Sequence, residues 1–212
     1  MEIEYKLSAD TGIDLKELLN DTRLQSLASS NEEERLHSSV YFDTPDGVLD
    51  QSGITLRLRT EDSGDRHELV CCLKQKPEIV SHNYKVREEY DYIVPEDRIS
   101  DGMYEKFPSF CIDGLKEAGV PDNTINKISG LELYPSAKVT YTRIAKLMRI
   151  SSDTLCELAL DEGVFASGER FKEVELELIR GSVEELQVLV SYLMRKYKMK
   201  IQPLSKRARA KL

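Results

Sequence analysis

The 212-residue sequence predicts an α+β domain built on a large antiparallel sheet or barrel of eight strands with flanking helices. Eight segments alternate in character with period two, as strands do when their two faces meet different environments. Three others place apolar residues at helical spacing, and short clusters of turn residues separate the segments. The predicted strands cover 1–7, 35–43, 53–60, 67–76, 84–94, 137–150, 154–161 and 170–179.

In chain order, the first helix is expected over 14–29, with Leu15, Leu18 and Leu19 on one face. Thr44-Pro-Asp-Gly47 is turn chemistry, and 61–65 joins two strands as a hairpin. A second helix is predicted over 101–119 from Met103, Phe107, Phe110 and Leu115, ending at Gly119 with Pro121 just beyond. The last begins at Ser182-Val-Glu-Glu185, a capping-box pattern in which serine hydroxyl and glutamate carboxylate satisfy free amides of the first turn. Leu186, Leu189, Val190 and Leu193 follow on its apolar face.

With 40% hydrophobic and 32% charged residues and no evident linker or repeat, residues 1–212 read as one domain with a buried core. No apolar run approaches the roughly 18 residues of a membrane span. The opening Met1-Glu-Ile-Glu-Tyr-Lys-Leu7 carries acids where a signal peptide carries bases, so a cytoplasmic protein is expected. Cys71, Cys72, Cys111 and Cys156 lack disulfide density and metal spacing and read as free buried thiols. His37, His67 and His82 are too scattered for a zinc site. A net charge of -8 disfavours nucleic acid and anionic membranes as partners.

The placement of the charges is more informative than their total. An ordinary sheet shows no order of sign on its polar face. Here the first strand sets Glu2, Glu4 and Lys6 against Ile3, Tyr5 and Leu7, and the third sets Thr55, Arg57 and Arg59 against Ile54, Leu56 and Leu58. The fourth sets Cys72, Lys74 and Lys76 against Leu69, Cys71 and Leu73, and the fifth carries Lys85, Arg87, Glu89 and Asp91 on one face. Glu157 and Asp161 share a face, as do Glu173, Glu175 and Glu177. On any one strand a solvated face would explain this. Sorted by sign over six strands, the pattern favours a functional interior in which carboxylates take a hard cation and bases take a polyanion.

These residues resemble the CYTH superfamily, the triphosphate tunnel metalloenzymes. Its ExExK motif stands here as Glu2-Ile-Glu4-Tyr-Lys6. Tyr41-Phe-Asp-Thr-Pro45 is similar to the family's YFDT segment, and Gly53-Ile-Thr-Leu-Arg57-Leu-Arg59 to its G-x-x-LRxR strand. Lys74 with Lys76, Arg87-Glu-Glu89, Thr142-Arg143, Leu160-Asp161, Glu173-Val-Glu175-Leu-Glu177 and Ser205-Lys206 continue the series over essentially the whole chain.

The resemblance implies an eight-stranded triphosphate tunnel whose lumen holds a triphosphate and one or two divalent ions. Glu2, Glu4, Glu175 and Glu177 would hold Mg2+ or Mn2+, with Asp161 and Glu173 close by. Lys6, Arg57, Arg59, Lys74, Lys76, Arg87 and Arg143 would wrap the phosphates and neutralise transition-state charge, with Lys206 in reach. Water, activated by the metal or by Glu89 or Glu157, would attack the terminal phosphorus. The substrate expected first is inorganic tripolyphosphate, a small molecule, cleaved to diphosphate and phosphate by a monomer or homodimer. Thiamine triphosphatase, class IV adenylyl cyclase and a noncatalytic polyphosphate or nucleotide sensor are the alternatives. Asp91 and the basic run Arg207-Ala-Arg209-Ala-Lys211 depart from the pattern; the run either caps the tunnel or is a solvated tail. The histidine-containing helical domain of some relatives is not expected. Tyr41 and Phe42 read as core aromatics, Asp43 as a strand-ending turn residue, Cys71 and Cys72 as packing, and His67 and His82 as solvated. Lys138 reads as either a phosphate contact or a surface residue.

Overall fold

In the computed structural model, which describes residues 2–75 and 84–210, one antiparallel sheet of ten strands curls into a nearly closed barrel. The strands are β1 (Glu2–Ser8), β2 (Glu33–Asp43), β3 (Ile54–Asp62), β4 (His67–Gln75), β5 (Lys85–Arg87), β6 (Glu89–Ile93), β7 (Tyr134–Arg149), β8 (Leu155–Phe165), β9 (Arg170–Arg180) and β10 (Lys200–Ile201). Their order is β10-β1-β9-β8-β7-β2-β3-β4-β6. All eight predicted strands are present, but the fifth is split at Glu88. Its first half pairs with β1 (Glu2 opposite Arg87) and its second with β4 (Lys74 opposite Glu89). This split segment spans the gap between the two ends of the sheet and closes the barrel.

The helices depart further from expectation. The segment 14–29 forms two short helices, α1 (Leu15–Leu19) and α2 (Thr22–Leu27). The carboxylate of Asp21 caps the second by accepting the amides of Arg23 at 2.8 Å and Leu24 at 3.1 Å, which ends one helix and starts another. A short α3 (Val48–Gln51), not predicted, follows the 44–47 turn. Asp43 ends β2 as expected, and its Oδ1 accepts the amides of Thr44 and Leu49, each at 2.8 Å. The predicted helix 101–119 is a 3-10 turn (Asp101–Tyr104) and α4 (Phe110–Glu117), separated at Pro108, which has no amide to continue a helix. Past Pro121, α5 (Asp122–Ile128) was also unpredicted.

The helix α6 (Val183–Tyr197) forms as read, with Ser182 Oγ accepting the Glu185 amide at 3.2 Å. The reciprocal bond is absent. Glu185 accepts from Ser151 Oγ at 2.7 Å, while the Ser182 amide donates to Thr154 Oγ1 at 3.0 Å. The basic run near the C-terminus becomes α7 (Lys206–Arg209), capped by Ser205 Oγ, which accepts the Ala208 amide at 3.1 Å.

The barrel is apolar outside and charged over most of its interior, where an apolar cluster of Tyr41, Val139, Tyr141, Phe165 and Phe171 also packs; a small barrel whose side chains fill its interior does the reverse. On one side α1, α2 and α6 cover the outer faces of β1, β7, β8 and β9, burying Tyr5, Leu158, Leu176, Leu186 and Leu193. On the other, α3, α4 and α5 cover β2, β3 and β4 over Phe42, Leu56, Leu58, Leu73 and Leu115. Each such side chain stabilises the fold by roughly 1.5–3 kcal/mol. With the apolar residues spent outward, period two leaves the polar ones to line the lumen. The approach of α4 to β6 requires glycine at 114, where a Cβ would lie 2.3 Å from the Tyr92 ring. All four cysteines are buried free thiols.

Candidate active site

A cavity of about 450 Å³ occupies the lumen. It is lined by Glu2, Glu4 and Lys6 of β1, Tyr41 of β2, Thr55, Arg57 and Arg59 of β3, and Cys72 and Lys74 of β4. Arg87, Glu89 and Asp91 of the split segment, Tyr141 and Arg143 of β7, Glu175 and Glu177 of β9, and Ser205, Lys206 and Arg207 complete it. Eight of these side chains are basic and six acidic, so the lining is net positive although the whole chain carries -8. The total charge therefore describes the outer surface, while the lumen suits a small anion.

The charges interlock across strands. Lys6 Nζ lies 2.7 Å from Glu175 and 3.3 Å from Glu4. Arg87 contacts Glu4 and, at 3.2 Å, Glu2; Lys74 pairs with Glu89 and lies 3.4 Å from Glu2. Burial alone would raise the Glu4 and Glu175 carboxyls, but Lys6 beside both, with Lys206 beside Glu175, holds them below the usual carboxylate range. Glu89 is likewise held low against its burial, chiefly by Lys74 and Arg57.

Two carboxyls behave oppositely. Burial pushes Glu2 up to about 8, with Glu89 and Glu4 adding to the rise against the pull of Lys74 and Arg87. Burial and the neighbouring Glu157 push Glu177 up to about 6. Glu4 Oε1 is buried with only the Lys6 ammonium, at 3.3 Å, beside it. Glu4 and Glu177 are register partners on adjacent strands. Crowded carboxylates that resist ionisation, as Glu2 and Glu177 do, fit a hard divalent cation, which would favour their charged forms.

The acidic residues beneath are arranged differently. Oxygens of Asp161, Glu173 and Glu175 converge, but the ammonium of Lys206 occupies the middle, 2.7, 2.7 and 2.8 Å from them. Arg143 donates two bonds of 2.8 Å to Asp161, and Arg209 contacts Glu173. Asp161 and Glu173, expected near the metal, are fully buried, absent from the cavity lining, and neutralised by the chain's own cations. The basic run is therefore docked: Arg207 reaches Asp43 at 2.5 Å, while Lys206 enters the lumen.

Of the other expectations, Lys6, Arg57, Arg59, Lys74, Arg87 and Arg143 all line the cavity. Lys76 and His82 lie outside the described residues, as does Lys211. Glu157 does not line the cavity; it faces Glu177 in register on the adjacent strand. Lys138 is exposed, as is His67, while Phe42 is core. Tyr41 and Cys72 are buried but face the lumen, with Cys72 Sγ 3.0 Å from Glu89. Burial pushes that thiol up to about 12, against the pull of Arg57, which leaves it unreactive. Tyr141 went unnoticed in the sequence, although it precedes Arg143 by two residues and period two places both on one face.

Fold and site together define a class: an antiparallel barrel, apolar outside, whose lumen sets a basic array against an acidic one. The chain belongs to the CYTH domain family, whose model matches residues 1–210. No curated protein matches it. Among solved structures the chain is similar to HpAC1 from Hippeastrum, described as having a dominant triphosphatase activity, at 20% identity and TM-score 0.67, covering 98% of this chain and 94% of that one. It is similar to a candidate adenylate cyclase from Bacillus halodurans at 18% identity and TM-score 0.61, covering 99% and 96%. It is also similar to the PH1819 protein from Pyrococcus horikoshii OT3 at 18% identity and TM-score 0.58, covering 97% and 95%. Among the described residues no helix is long and apolar enough to cross a membrane.

Proposed function

We propose that this protein hydrolyses the terminal anhydride of a small-molecule triphosphate, with inorganic tripolyphosphate as the first substrate, yielding diphosphate and phosphate. The net positive lining of an enclosed lumen carries the reading, because a cavity with eight bases facing six acids suits a compact polyanion better than a neutral or cationic ligand. The triphosphatase described for the Hippeastrum relative is consistent with it.

Arg57, Arg59 and Arg87 donate forked hydrogen bonds to phosphate oxygens, Arg143, whose fork is held by Asp161, donates through its remaining nitrogen, and Lys6, Lys74 and Lys206 act as point charges. Held in place before substrate arrives, they orient the chain of phosphates and stabilise the charge that develops as the anhydride breaks. Glu2, Glu4, Glu175 and Glu177 would hold Mg2+ or Mn2+, which when bound supplies Lewis acidity and an acidified water. Of the two candidate proton acceptors, Glu89 is tied to Lys74 and Arg57. Glu157 has no cation partner among the described residues but does not line the cavity, so it takes part only through Glu177, its register partner and a cavity-lining group.

Purified protein is to be assayed for phosphate release from tripolyphosphate, ATP and thiamine triphosphate with Mg2+ or Mn2+. Turnover fastest with tripolyphosphate supports the reading. Preference for thiamine triphosphate moves the assignment to that substrate, cyclic product from ATP moves it to a cyclase, and tight binding without turnover makes the protein a sensor.

A further inference from the structure

His37 is a buried titratable group that the proposed chemistry does not use. It lies on β2 directly opposite Tyr141 of β7, with its Nδ1 3.1 Å from the Tyr141 hydroxyl and the two ring centroids 5.0 Å apart. Its Nε2 is buried and makes no hydrogen bond; Glu61 Oε2 is 3.9 Å away and is taken by Arg35, while Arg59 holds the other oxygen of that carboxylate. An imidazole enclosed in this way, with one nitrogen on a phenol and the other unpaired, adds little to stability.

Tyr141 sits at the head of the cationic array. Lys206 Nζ is 5.0 Å and the Arg143 guanidinium 5.9 Å from its ring centroid, so the ring holds two of the phosphate-binding cations by cation–π attraction. Its side chain lines the cavity. A phenol offers one O–H and two acceptor positions. If His37 Nδ1–H donates to the phenol oxygen, the phenol O–H is free to donate into the lumen, and a phosphate oxygen is the acceptor a polyanion would bring there.

We propose that Tyr141 is a phosphate-binding residue and His37 its positioning residue: with the anion bound, His37 is the Nδ1–H tautomer and donates to Tyr141, whose hydroxyl donates to a phosphate oxygen. This rests on the triphosphate reading above and adds to it a hydrogen-bond donor that the sequence motifs do not include. Without the anion, the phenol O–H has no acceptor in the lumen and donates to Nδ1 instead, which places the ring proton on Nε2. Anion binding thus changes which ring nitrogen carries the proton, by exchange with solvent, at constant net charge.

The test reads tripolyphosphate binding by calorimetry without added metal, beside the 15N shifts of the His37 ring. Tyr141→Phe keeps the ring and its cation contacts and loses only the hydroxyl; it is expected to weaken binding roughly 10- to 100-fold, the range for a hydrogen bond to a charged group. His37→Leu is expected to weaken binding similarly, and Tyr141→Phe combined with His37→Leu to be no worse than either alone. His37→Asn, which returns an N–H near the Nδ1 position, should restore part of the loss. In the wild type the Nδ1 resonance should move to the protonated range on titration with tripolyphosphate. Equal binding by Tyr141→Phe, or ring shifts unmoved by the anion, overturns this inference alone. Wild-type protein that binds no tripolyphosphate overturns the triphosphate reading and this inference with it.

Discussion

Lys206→Met replaces the ammonium in the acidic trio with an apolar chain of similar length. The wild-type group is buried and touches Asp161, Glu173 and Glu175 at 2.7, 2.7 and 2.8 Å. Its loss leaves three buried carboxylates with Arg143, Arg209 and a Lys6 shared with Glu4. Removing one member of a buried ion cluster costs about 3–5 kcal/mol; the remaining cations place this case near the lower end, about 3 kcal/mol. At a urea dependence of about 2 kcal/mol/M, the unfolding midpoint drops by about 1.5 M at pH 7. The pH trend gives a second check. In the wild type Lys206 is raised above its ordinary value, because its three carboxylates outweigh its burial, so its contribution persists below that value and is lost only as pH rises through the folded one. In the variant a carboxylate takes up a proton instead, so the gap between the two proteins narrows as pH falls from 7 towards 5. A loss below about 1 kcal/mol, or a gap independent of pH, would refute the view that this lysine is the trio's counter-ion.

Three further outcomes are expected. Glu4→Gln should abolish metal-dependent phosphate release with an unchanged circular dichroism spectrum, whereas Arg57→Ala should mainly raise KM, by roughly 10- to 100-fold for one lost charge-assisted contact. Asp21→Asn should cost about 2–3 kcal/mol in urea unfolding, because Oδ2 accepts from Tyr192 and Tyr197 at 2.7 Å and Lys196 at 2.5 Å, and an amide nitrogen there cannot accept. Burial, then Arg59 and Arg143, outweigh Glu61 and depress His37 to about 2, so the unfolded chain binds the extra proton below its own value near 6.5. Stability should therefore fall with pH below 6.5, by about 2 kcal/mol at pH 5, and His37→Asn should flatten that part of the profile in urea midpoints measured at successive pH values.

Much of this protein was legible in its sequence. Period two, read as far as the sign of each charge, located the inward face of six strands, β2 and β7 excepted, because a pleated strand has only two faces and the apolar one must be covered. It therefore yielded Glu2, Glu4, Lys6, Arg57, Arg59, Lys74, Arg87, Glu175 and Glu177 as a lumen set, all now in one cavity. Tyr141 was missed because an aromatic residue at an inward position looks the same as core. Helix limits were misread where a side chain intervened: the carboxylate of Asp21 divides one amphipathic run in two, and Pro108 delays another.

Which residues face inward on six strands, and the resemblance that their order carries, are local or linear properties and were readable from residue order alone. Only the tertiary structure decided which opposite charges meet. Lys206 lies 31 residues from Glu175 in the chain yet fills the acidic trio in which Asp161 and Glu173 were expected beside a metal, because β8, β9 and α7 come together only in the folded barrel. Ion pairing depends on a few ångströms of distance and on exclusion of water, and neither is written in the spacing of residues along a strand.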